Sequence, residues 1–174
     1  APDVELRGRR HVADLVPADP RIVYLRLDGR RSVGEKRNLA CRAAAGAYIV
    51  HWDDDDWSAP NRIETQLKQL RESGKQVVGF HSISYWDASP GNMPPEQRAY
   101  QYRGTRPYAC GTSQFYYKDY WQKHKFPSRQ TGEDSLFSSA AKTSRILDSF
   151  DGTQLIVARA HSENTFRLSL GKQN

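Results

Sequence analysis

Cysteine, methionine and long apolar runs are what this 174-residue chain has least of, with two cysteines and one methionine in all. Cys41 and Cys110 are too few for a disulfide framework and lack CxxC spacing, so both are expected to be reduced and buried. No run of 18 apolar residues occurs, which excludes a membrane-spanning helix. The opening APDVELRGRR carries no apolar stretch of the signal-peptide kind, so the default expectation is a cytoplasmic protein. Internal repeats, coiled-coil heptads and low-complexity tracts are absent as well. The length suits one domain, residues 1–174, and is too short for two comfortable ones.

Charge is plentiful. Lys and Arg number 26 against 20 Asp and Glu, a formal net charge of +6 and a pI near 9.4. Such a balance favours an anionic partner. Nucleic acid has only the net charge in its favour and no motif, so no nucleic-acid partner is expected. Against this background HWDDDDWSAP, residues 51–60, concentrates four carboxylates between two tryptophans.

The pattern around that run is α/β. Residues 21–26 (RIVYLR) read as a strand closed by the turn signal Asp28 and Gly29. Ser32 with Glu35 three residues on forms a capping-box signature for a helix that Gly46 is placed to stop. Residues 47–52 (AYIVHW) read as a buried strand. Strand, helix, strand in this order predicts a right-handed parallel crossover. Pro60 opens a second helix whose Ile63, Leu67 and Leu70 share one face. Residues 76–86 form a further strand. Residues 88–97, with three prolines and a glycine, form a loop. Strands are expected over 100–103, 111–117 and 155–160, and helices from Lys118 and over 132–141. The expected architecture is an α/β sandwich around a mostly parallel, mixed sheet.

The acidic run starts where a buried strand ends, the place where open α/β sheets bind ligands. If the extended geometry persists, Asp53 and Asp55 point one way and Asp54 and Asp56 the other. Two carboxylates about 4 Å apart repel by roughly 4 kcal/mol at an effective dielectric near 20. A divalent cation, a raised pKa or full solvation must relieve that repulsion. Oxygen ligands suit Mg²⁺ or Mn²⁺, which complete their shells with water and substrate phosphate. The other reading is a solvated acidic loop at the N-terminus of the second helix, where negative charge is favourable.

Arg37 and Asn38, then Ala45 to Ile49, then WDDDDWSAPNRIE resemble the nucleotide-sugar half of a GT-A fold, family-two glycosyltransferase. Phe126, Pro127, Gly132, Glu133 and Asp134 resemble that family's acceptor-side acidic motif. His161 with Asn164 and Thr165 resembles its closing H-x-x-N-T. The resemblance spans roughly residues 12–167. It implies a GT-A-like three-layer domain with a nucleotide-sugar half over about 1–86 and an acceptor half over about 98–174. It also implies an inverting, metal-dependent transfer of a sugar from a nucleotide diphosphate sugar to a carbohydrate or other hydroxyl acceptor. Asp134 then matches the general base. Asp55, Asp53 and His161 match the metal site for Mn²⁺ or Mg²⁺. Arg37, Asn38, Asp53 and Asp54 match the nucleotide-sugar side, and Glu133 and Trp57 the acceptor side. Trp52 and Trp57 are expected to pack the core around the strand end, with Trp57 bordering the sugar site as the alternative. For Phe115, Tyr116, Tyr117, Tyr120 and Trp121, core packing is weighed against stacking on an acceptor sugar.

One departure from the pattern stands at the start. The family's first strand and helix have no counterpart, and its second, base-reading acidic stretch is replaced by Leu6, Arg7, Gly8 and Arg9. Against the resemblance the chain is N-terminally shortened, which is open to three readings: a fragment, a naturally minimal form, or a form whose open sheet a partner, such as another copy of the chain, completes. A degenerate member that binds nucleotide, sugar or a protein partner without turnover is the alternative. A phosphoryl-transfer hydrolase of the D-x-D-x-[TV] kind is disfavoured because Trp57 stands where that motif needs Thr or Val.

Overall fold

A computed structural model describes residues 12–88, 98–161 and 164. The expected loop over 88–97 lies, apart from Ala88, outside the described residues, as do Thr165 and Leu6 to Arg9.

Ser32 caps the first helix, α1 (Val33–Ala43), as its sequence signature requires: the Glu35 amide donates to the Ser32 hydroxyl, and the Ser32 amide donates to the Glu35 carboxylate. The helix stops at Ala44, whose backbone turns extended, two residues before Gly46. Then follow β1 (Tyr48–Val50), the two-residue β2 (Trp57–Ser58), α2 (Arg62–Ser73) and the long β3 (Val77–Asp87). Gly74 ends α2 at φ +64°, a left-handed conformation that glycine takes without a Cβ penalty. The chain continues through β4 (Ala99–Arg103), a 3₁₀ turn at Gly111–Ser113, β5 (Phe115–Tyr117), α3 (Lys118–Lys123), α4 (Glu133–Thr143), β6 (Leu147–Asp151) and β7 (Ile156–Ala160).

The sheet is mixed, ordered β1-β5-β3-β7-β2 with β4 and β6 also on β3. One edge of β3 pairs antiparallel with β5 and then β4, while the other pairs parallel with β6 and then β7. Alternation assigns the two faces. Ile49, Val77 and Tyr116 point to a core shared with α1, α3 and α4 through Cys41, Tyr120, Trp121, Phe137 and Ala141. Val78 and Phe115 point to the opposite face, against Leu67 and Leu70 of α2. Helices therefore cover both faces of the sheet, the three-layer α/β sandwich expected from the sequence, but the described pairings are four antiparallel and two parallel, so the sheet is mixed without being mostly parallel. Both cysteines are buried and unpaired, and burial pushes the Cys110 thiol up to about 12.

Several local expectations are corrected. RIVYLR joins no ladder among the described residues. Ile22, Val23, Tyr24 and Leu25 stay exposed, because β propensity alone makes no strand without an edge to pair with. The parallel crossover built on it therefore does not form, and β1 pairs antiparallel with β5 instead. On α2 the buried stripe is Arg62, Gln66 and Leu70, while Ile63 is exposed. The described residues contain no helix long and apolar enough to cross a membrane.

Candidate active site

Strand β1 leads into His51 and the acidic run, and there the extended backbone stops. Residues 53–56 fold into a turn, with the Asp56 amide reaching the Asp53 carbonyl at 3.4 Å. The in-and-out alternation expected for the four aspartates is thereby lost. Asp54 is exposed, and Asp53, Asp55 and Asp56 are half-buried.

Each remaining carboxylate has a different environment. Asp55 Oδ2 lies 2.9 Å from His161 Nε2, just past β7, and 3.5 Å from the Asn164 amide nitrogen. Asn164 in turn accepts from the His161 backbone amide, so two members of the closing motif meet the acidic turn. Asp56 accepts from the Thr112 hydroxyl and from the Arg159 backbone amide, both at 2.9 Å, and burial raises its pKa. It extends the β2–β7 ladder by one side-chain bond and pins the turn to the sheet.

Beneath the run lies Arg62, fully buried. Its guanidinium donates to the His51 carbonyl at 2.9 Å, the Thr112 carbonyl at 2.6 Å, Ser58 Oγ at 2.8 Å and Gln66 Oε1 at 3.1 Å. Trp52 covers it, with the guanidinium carbon 4.6 Å from the ring centroid. These acceptors are neutral, so the charge of Arg62 is balanced through space by Asp56 and Asp53. Part of the like-charge repulsion in the run is thus relieved by a resident cation that hydrophobic periodicity did not reveal. Trp52 and Trp57 are 49% and 55% exposed, so the expectation that they pack the core is corrected. The turn throws both rings outward.

The second group is interior. Glu133, the first residue of α4, is buried and pairs with Arg37 Nε at 3.1 Å. Arg37 also reaches His51 Nδ1 at 2.8 Å, and its guanidinium sits 5.9 Å from the Phe126 ring centroid. Asn38 donates to the Phe126 carbonyl at 2.8 Å, and its Oδ1 accepts from the Trp121 indole at 2.9 Å and the Phe126 amide at 3.0 Å. Arg37 and Asn38, expected at the nucleotide, and Glu133, expected at the acceptor, are turned inward: Arg37 and Glu133 bond each other, and Asn38 bonds Phe126 and Trp121. His51 is buried and neutral, its pKa lowered to about 3 by burial and then by the neighbouring Arg37. Of the aromatic cluster, Phe115, Tyr116, Tyr120 and Trp121 are core residues.

Asp134 follows Glu133 and is half-buried. Its carboxylate rests against the Cα of Gly111, where a Cβ would stand 2.2 Å from Oδ2. Its backbone carbonyl accepts from Gln114 Nε2 at 3.0 Å. The turn Gly111–Ser113 thus carries Asp134 on its first residue and Asp56 on its second. Both supports, Gly111 and Thr112, lay outside the sequence expectations. Among the described residues no three His, Cys, Asp or Glu side chains gather closely enough to enclose a metal ion. Asp55 and His161 form a pair, which fits an ion that takes its remaining ligands from water and phosphate.

The fold is of the GT-A type, and comparison with known proteins agrees. The model of Glycosyl transferase family 2 matches residues 8–133, so the chain belongs to that family. An uncharacterized glycosyltransferase of Methanocaldococcus jannaschii, MJ1057, is 31% identical over 85 residues, which are 49% of this chain and 29% of that protein. The succinoglycan biosynthesis protein ExoO of Rhizobium meliloti is 33% identical over 72 residues, 38% of this chain and 21% of that one. The matched stretches are thus under a third of either relative. The crystal structure of S. aureus TarS in complex with UDP-GlcNAc superimposes with a TM-score of 0.56 at 15% identity, covering 80% of this chain and 42% of that one. That likeness shows the shared fold.

Proposed function

We propose that this chain transfers a sugar from a nucleoside diphosphate donor to an acceptor hydroxyl with inversion at the anomeric carbon. One observation carries the reading: the turn Gly111–Ser113 bears Asp134 against its first residue and the acidic turn, through Asp56 and Thr112, on its second. An in-line displacement needs a proton acceptor on one side of the sugar and charge stabilisation for the leaving group on the other. The UDP-GlcNAc complex of TarS supports a nucleotide-sugar donor.

In this reading Asp134 takes the proton of the acceptor hydroxyl, and the freed oxygen pair forms the bond to the anomeric carbon. The bond from that carbon to the diphosphate oxygen breaks, and its electron pair leaves with the nucleoside diphosphate. Asp55 and His161 would hold Mn²⁺ or Mg²⁺, which when bound neutralises charge on the departing diphosphate. Asp53 and Asp54 stand on the ribose and diphosphate side, and the exposed Trp57 offers an apolar ring to the acceptor side. Arg37, Asn38 and Glu133 serve as supports rather than ligand contacts.

The test is nucleoside diphosphate release from a panel of UDP-, dTDP- and GDP-sugars with Mn²⁺ present. Asp55→Ala is expected to lose both Mn²⁺-dependent nucleotide binding and turnover. Asp134→Asn is expected to keep the binding and lose turnover by about 10²–10⁴-fold. A wild-type protein with neither turnover nor Mn²⁺-dependent nucleotide binding overturns the reading.

A further inference from the structure

Gly111 makes two contacts that no other residue of the site combines. Its carbonyl meets His51 Nδ1 at 2.7 Å, and its bare Cα seats the Asp134 carboxylate. His51 stands between the end of β1 and the acidic turn, and the same ring nitrogen is 2.8 Å from Arg37. Arg37 is bonded to Glu133, the residue before Asp134. The contacts close a ring: His51 to Gly111, Gly111 to Asp134, along the chain to Glu133, to Arg37, and back to His51. Gln114 braces it from below by holding the Asp134 carbonyl at 3.0 Å.

Two side chains of this ring lie in the interior. Glu133 and His51 are 4% and 6% exposed. A methyl group at Gly111 would meet Asp134 Oδ2 at 2.2 Å and Cγ at 2.9 Å, distances real Cβ atoms do not tolerate. On the far side, a Cβ at Gly34 would stand 1.9 Å from the Pro127 carbonyl oxygen and 3.4 Å from Glu133 Cβ, so α1 and the start of α4 are also in close contact.

We propose that Gly111, His51 and the Arg37–Glu133 pair are positioning residues that fix Asp134 relative to the acidic turn. The inference rests on the base assignment of Asp134 and extends it. None of the four is assigned contact with substrate; each acts through where it holds a carboxylate. A displacement near 1 Å at a reacting group can cost about 100-fold in rate, so the seat at Gly111 has kinetic weight out of proportion to its size.

The test is Gly111→Ala, alone and combined with Asp134→Asn, in the whole chain. The first readout is the Asp134 side-chain ¹³Cγ resonance, which is expected to move while the Asp55 and His161 resonances stay in place. The second, on whichever panel donor turns over, is a fall of about 100-fold in kcat with KM for the donor unchanged. The double variant is expected to be no slower than Asp134→Asn alone. If Gly111→Ala does not fold, Glu133→Gln, which keeps an oxygen for Arg37 and removes the charge, is expected to move the same resonance. An unmoved Asp134 resonance, a loss confined to KM, or losses that multiply in the double variant overturns the proposal. Full turnover in Asp134→Asn instead overturns the base assignment, an outcome visible without any Gly111 variant. Where no panel donor turns over, the resonance alone decides.

Discussion

The two carboxylate sites, Asp134 and Asp55, are held in opposite ways. Asp134 stands on a largely buried polar ring in which Glu133, Arg37, His51 and Gly111 are in contact in sequence. Asp55 stands on a half-buried turn, in contact with His161 and Asn164, and that turn is anchored through Asp56 and lies against the buried Arg62. On the proposed function, the difference teaches how a site can divide its labour. A group that must meet one proton at one distance gains from a rigid seat. Groups that must gather an ion, water and a flexible diphosphate gain from room to adjust.

Removing Arg62 strikes the open side hardest. Arg62→Ala leaves two carbonyls, Ser58 and Gln66 without their donor and opens a void under Trp52. It is expected to lower unfolding free energy by about 3–5 kcal/mol in urea titration. A loss under about 1 kcal/mol would show that the turn has some other floor. On the closed side, Asn38→Ala deletes three hydrogen bonds around Phe126 and Trp121, at about 1 kcal/mol each. The expected cost is about 2–3 kcal/mol in the same assay, with Mn²⁺-dependent nucleotide binding retained.

The mildest probe is pH. The pKa of His51 is depressed, from near 6.5 unfolded to about 3 folded, so the unfolded chain binds the extra proton between those values. Stability from the neutral ring is complete above pH 6.5 and lost as pH falls toward 3. The slope from this group is at most about 1.4 kcal/mol per pH unit. Urea titrations without metal at pH 6.5 and 5 are expected to differ by about 1–2 kcal/mol in the wild type and by less in His51→Gln. Equal slopes would place the proton elsewhere.

Local signals in the sequence were reliable where the physics is local. The capping box at Ser32 and Glu35, the apolar run of β3 and the acidic start of α4 all depend on neighbours a few residues away. What stayed hidden depends on distant partners. Strand β6, LDSFD, reads as polar, yet Leu147 and Ser149 are buried in alternation and Asp148 is satisfied by Arg106 and Gln69. Arg62 and Gln66 look like the solvent face of a helix until their acceptors at His51, Thr112 and Ser113 are in view. The site divides the same way. The strand end and the acidic run were legible but not the turn the run takes, and Arg37 and Asn38 find partners 96 and 88 residues along the chain, at Glu133 and Phe126. Spacing alone cannot distinguish an arginine facing a phosphate from one facing a buried glutamate.

Strand β3 has a consequence for how the chain comes together. Both of its faces are apolar at Val77 and Val78, and both edges are occupied, one of them by β6 and β7. Among the described elements, those two strands come after all the others in the chain. During synthesis the central strand must therefore wait with one edge open, and an open apolar edge invites pairing with another chain. The period of greatest exposure to aggregation ends when residues 147–160 dock.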